Sequence, residues 1–95
     1  MTNTPWLAHY PSDVPKQLPP VSFTNLPELL NAAAAQYGKK TAFTQVMPNG
    51  MNGSLTYAEV DQLSDQFACY LREELGLSAG DRVAVQMPNC LSYPV

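Results

Sequence analysis

The sequence predicts an α/β fold in which a β-hairpin leads into the start of a doubly wound α/β sheet. Three observations carry this. Residues 41–57 mix β-branched and aromatic side chains around a loop rich in Pro, Asn and Gly. Residues 56–75 repeat apolar side chains at helical spacing behind a Thr-x-x-Glu start. Residues 82–87 are largely apolar, as in a strand covered on both faces. Strand, helix and further strand in that order begin a layered α/β sheet. The alternative is a small, complete α+β domain.

Taken in order, residues 1–24 form a proline-rich extended N-terminal arm. Pro5, Pro11, Pro15, Pro19 and Pro20 oppose a regular helix and a central strand alike. Trp6, Tyr10, Leu18 and Phe23 are spread along this arm, so it is expected to lie on another surface. That surface belongs to this chain, to further chain, or to a second copy. Residues 25–95 form the second region. Asn25 caps a helix that has Pro27 in its first turn and Glu28 completing an approximate capping box. Leu26, Leu29, Leu30, Ala33, Ala34 and Tyr37 mark its apolar face, and Gly38 ends it in the left-handed conformation.

Thr41 to Val46 reads as a strand, 47–53 as a loop, and Ser54 to Tyr57 as a returning strand whose register the sequence leaves open. Thr56 and Glu59 then open the clearest helix. Its stripe is Val60, Leu63, Phe67, Ala68, Leu71 and Leu75, with Asp61, Asp65 and Glu73 facing away, and Gly76 stops it. After the turn at 78–81, Arg82 to Met87 reads as a strand closed by Pro88-Asn89.

Ninety-five residues make at most one small domain. An apolar share of 45% suits a globular fold, while a charged share of 14%, below the usual quarter, suggests that part of the surface is normally covered. A net charge of -3 and a pI of about 4.7 give no electrostatic footprint for nucleic acid. Lys39-Lys40 is the one basic doublet and reads as a solvated loop. Cys69 and Cys90 match no zinc or redox spacing and read as free thiols of a reducing compartment. There is no secretory leader pattern and no apolar run of about eighteen residues. The expected location is cytoplasmic, with peripheral contact at the inner membrane face left open.

A residue-by-residue search for chemistry is negative. His9 stands alone in the arm, where a structural or solvated role outweighs metal binding, which needs three or four ligands. Cys69 lies opposite the apolar stripe with no base to activate it, and Cys90 follows a strand in a loop with no partner in view. Asn49 to Gly53 lacks the glycine spacing of a phosphate-binding loop and has no Lys-Ser/Thr pair behind it. Glu59, Asp61, Asp65, Glu73 and Glu74 read as the wet face of a helix. No catalytic, cofactor-binding or metal-binding residue is assigned.

Three segments nevertheless carry a pattern: Trp6-Leu7-Ala8-His9-Tyr10-Pro11-Ser12-Asp13-Val14-Pro15, then Leu55-Thr56-Tyr57-Ala58-Glu59-Val60, then Gly80-Asp81-Arg82-Val83-Ala84-Val85-Gln86-Met87-Pro88-Asn89 with Tyr93-Pro94-Val95. Their order and spacing resemble the N-terminal region of the adenylate-forming, AMP-binding enzymes. The second and third look like the superfamily at large. The arm and the terminal Tyr-Pro-Val look like bacterial long-chain fatty-acid–CoA ligases. Val60 replaces the usual leucine, and the 47–53 loop is somewhat extended; neither disturbs the match.

The resemblance implies that residues 25–95 are the incomplete N-terminal portion of an AMP-binding large domain. It also implies a parent enzyme that activates long-chain fatty acids with ATP, Mg2+ and coenzyme A through an acyl-adenylate. In that family the phosphate loop, the nucleotide contacts, the hinge and the catalytic lysine follow beyond residue 95. This segment is therefore expected to act as scaffold, to be inactive alone, and to bind no cofactor. Its expected partners are the remainder of its own chain and a second copy, met through the arm or exposed strand edges. Two other readings stand beside this one: an adenylate-forming ligase for a different acid, and a non-catalytic interaction module.

Overall fold

A computed structural model describes residues 3–95. Its elements run α1 (Leu26–Tyr37), β1 (Thr41–Val46), β2 (Asn52–Thr56) and α2 (Tyr57–Cys69), and α2 continues into a π-helical turn over Tyr70–Glu74. The two strands form one antiparallel sheet. The fold is therefore α/β, a hairpin framed by helices.

The arm is not wholly extended. Pro5–His9 forms a short 3-10 helix, with Pro5 in its first turn, where a missing N–H costs nothing. The Leu7 amide donates to the Thr4 carbonyl at 3.1 Å, and a second turn follows as the Val14 amide reaches Pro11 O at 3.1 Å. Regular structure is absent from Leu18 to Phe23.

Asn25 caps α1 as expected, its Oδ1 accepting the Glu28 amide at 2.8 Å. The reciprocal half of the box is displaced by one residue. The Glu28 carboxylate accepts from the Thr24 amide at 2.8 Å and the Thr24 hydroxyl at 2.7 Å. Gly38 departs from expectation, since it is right-handed (φ -44°, ψ -40°). What requires glycine there is space: a Cβ would sit 2.9 Å from the Ala34 carbonyl and 3.5 Å from the Ala58 side chain.

That close approach brings the end of α1 against the start of α2. The first amides of α2 lack partners inside the helix. Here the Tyr57 amide donates to Lys40 O and the Ala58 amide to Gly38 O, each at 3.0 Å. The Glu59 amide donates to Thr56 Oγ1 at 3.2 Å, and Thr56 N to the Glu59 carboxylate at 2.8 Å. The predicted capping box is complete. Negative and positive helix ends meet at this corner, which favours both.

In the hairpin, the Met47 amide donates to Met51 O and the Gly50 amide to Met47 O, with Gly50 at φ 84°. This is a three-residue loop closed by a left-handed glycine. Pairing runs from Val46 opposite Asn52 to Thr41 opposite Thr56, with a bulge between Thr41 and Phe43. Thr44 and Ser54 share a hydroxyl hydrogen bond of 2.7 Å across the strands. Two expectations change: Asn52-Gly53 belong to β2 rather than the loop, and Tyr57 starts α2 rather than ending the strand.

The second helix runs as far as expected but not as one α-helix. The Leu75 amide reaches Tyr70 O at 3.2 Å, a wider turn than the α-helical spacing. Gly76 then ends the helix as expected, and does so in the left-handed conformation at φ 64°.

The expected strand at 82–87 is not formed: these residues have no ladder partner among the described residues. A strand needs a neighbour to take its N–H and C=O groups, and neither strand of the hairpin pairs with this segment. Of the predicted hairpin and sheet start, the antiparallel hairpin and the helix after it are formed, and the following strand is not.

No described residue is buried. Ala33, Ala34, Leu55, Val60 and Leu71 are half-buried around the α1–α2 corner and the hairpin. The accessible surface is 8601 Å², whereas a compact chain of 10.4 kDa exposes about 5,400 Å². The radius of gyration is 18.7 Å against about 12 Å for a compact fold. The α2 stripe is mostly uncovered, with Leu63 38% and Phe67 44% exposed. Asp61, expected to face away from the stripe, is half-buried.

Candidate functional site

The C-terminal residues fold back on the hairpin and α2, and two long-range hydrogen bonds fix them there. The Leu91 amide donates to Gln45 Oε1 at 3.3 Å, and the Ser64 hydroxyl donates to the Val95 carbonyl at 3.1 Å. A local turn, in which the Tyr93 amide donates to Cys90 O at 3.1 Å, shapes the segment between them.

This return leaves two open recesses. The larger, about 580 Å³, is walled by Leu63 and Phe67 of α2, Leu55 of β2, and Met87, Leu91 and Val95. Leu63 and Phe67 are four residues apart, so both project from one helical face. The recess is mainly apolar, with Gln66 and Ser92 the polar side chains in its lining. The smaller, about 380 Å³, lies over β1 and includes Gln45, Cys90 and Tyr93. An apolar, open trough offers packing and desolvation. It offers no acid, base or nucleophile held against a substrate.

His9 is exposed in the 3-10 helix. Cys69 is exposed at the last position of α2, while Cys90 is half-buried at the smaller recess; both are free thiols. Among the described residues, no three His, Cys, Asp or Glu side chains gather at metal-binding distance. Lys40 places its ammonium 5.1 Å from the centre of the Tyr37 ring, a cation–π contact that also sits near Tyr57, whose ring is 6.0 Å from that of Tyr37.

Two carboxylates are held below their ordinary pKa, and both are engaged in hydrogen bonds at a helix start. The Thr56 amide, and then its hydroxyl, hold Glu59 below the usual carboxylate range. The Thr24 amide and hydroxyl do the same for Glu28. A lowered acid at a helix start is a structural signature, because the hydrogen bonds favour the ionised form.

One loop was a candidate for holding a nucleotide's phosphates. The glycine-rich 49–53 loop spends its amides internally: Gly50 N on Met47 O, and Met51 N on Asn49 Oδ1 at 3.1 Å. A phosphate cradle needs such amides free. Sequence reasoning did not anticipate the contacts of Gln45 and Ser64. Their partners are 46 and 31 residues away in the chain, and neither residue carries a local signal of them.

Comparison with known proteins gives the wider setting. Residues 30–95 match the family model described as AMP-binding enzyme. A long-chain-fatty-acid–CoA ligase of Salmonella typhimurium is 42% identical over 90 residues, covering 95% of this chain and 15% of the relative. One from Yersinia pestis is 40% identical over the same shares. A salicyl-AMP ligase / salicyl-S-ArCP synthetase of Mycobacterium tuberculosis is 36% identical over 70 residues, 74% of this chain and 12% of the relative. The chain thus spans about 15% of the length of the long-chain ligases it matches. With 90 of 95 residues aligned, that similarity takes in most of the arm, which the family model leaves out. No solved structure matches the chain. By the match over residues 30–95, this chain belongs to the AMP-binding enzyme family.

Proposed function

We propose that the protein carrying this chain is a long-chain fatty-acid–CoA ligase, and that residues 1–95 scaffold its large domain without supplying a catalytic group. The observation that carries this reading is the roughly 40% identity to ligases of that name over 90 residues, arm included. The reaction consumes a fatty acid, ATP and coenzyme A, and releases the thioester, AMP and pyrophosphate. Its first stage makes an acyl-adenylate, as the family's description as an AMP-binding enzyme suggests.

The scaffold role is supported by what the segment contains. The corner between α1 and α2 is closed by backbone hydrogen bonds from Tyr57 to Lys40 and from Ala58 to Gly38, whereas Leu63, Phe67 and Met87 stay more than a third exposed and residues 82–87 have no ladder partner among the described residues. In this reading the remainder of the same protein covers Leu63, Phe67 and Met87, and a neighbouring strand pairs with residues 82–87.

A ligase for a different acid is the second reading, favoured by the 36% identity to a salicyl-AMP ligase. One assay separates them. AMP release by the whole protein is measured with long-chain fatty acids and with aryl acids, each with and without coenzyme A. Release that depends on the fatty acid supports the proposal. Release with the aryl acid alone moves the assignment to the second reading, and no release with either removes the ligase reading. The 95-residue chain on its own is expected to release none.

A further inference from the structure

We draw no further inference here: the strongest candidate, the apolar trough that Leu63 and Phe67 of α2 form with Met87, Leu91 and Val95, belongs to the scaffold surface already described, and nothing in the structure shows what covers it.

Discussion

Thr56 and Glu59 set the start of α2 through a reciprocal pair of hydrogen bonds that neither residue can form alone. Removing the hydroxyl with Thr56→Ala is expected to cost about 1 kcal/mol, the usual loss for such a cap. Chemical denaturation followed by circular dichroism, or thermal melting where the chain unfolds cooperatively, measures it. Both capping glutamates have folded-state pKa values below their unfolded ones. Their contribution is present above the unfolded value, near pH 4.3, and is lost as pH falls through the folded value. Helicity is therefore expected to decline on acidification below about pH 4, and a Glu28→Gln, Glu59→Gln double variant should flatten that decline. An unchanged acid limb would show that other carboxylates control it.

Gly38 and Gly76 end helices for different physical reasons. Gly76 needs its positive φ, so Gly76→Ala should destabilise by about 1 kcal/mol. Gly38 is right-handed, where alanine ordinarily stabilises. Here its Cβ would press on the Ala34 carbonyl at 2.9 Å, so Gly38→Ala should destabilise instead. A raised melting point for that variant would show that the α1–α2 corner relaxes freely.

At the scale of elements, the hairpin and the two helices were legible in the sequence because their signals are local. Thr41 to Val46 is a β-branched run, and Thr56-x-x-Glu59 is a cap whose two halves lie three residues apart. The failures are equally physical. Residues 82–87 have the composition of a buried strand, but pairing is a property of a neighbour and not of the segment. Gly38 was read by residue type as a left-handed stop, while its true constraint is the Ala34 carbonyl, 2.9 Å from where a Cβ would sit, a closeness that only the actual backbone path reveals. No site residue was assigned for want of a motif, and the apolar trough was not foreseen, since it arises where distant residues 87–95 meet α2.

The stripe on α2 supplies a test at this scale. Phe67→Asp should leave the helicity of the 95-residue chain nearly unchanged, because Phe67 is already 44% exposed. In the whole protein the same change should sharply lower the yield of folded enzyme and its thermal midpoint, since a charge would be buried without a partner. Equal, small effects in both settings would contradict a covered stripe.

At the scale of the whole molecule, an accessible surface of 8601 Å² and the lack of any buried described residue describe a chain with much apolar area in contact with water. Contiguous exposed apolar area and unpaired strand edges favour association. The isolated chain is therefore expected to bind hydrophobic dye and to self-associate in light scattering as concentration rises. A stable, dye-free monomer at high concentration would mean that the chain covers this surface by itself.

The scaffold account depends most on the segment acting within a larger ligase, and the size of the native product tests that directly. An antibody raised against residues 1–95 should detect, in the cells that make the protein, a band several times heavier than 10.4 kDa. A band at 10.4 kDa and none above it would contradict the account, leaving a small protein without adenylation machinery and favouring a non-catalytic interaction module.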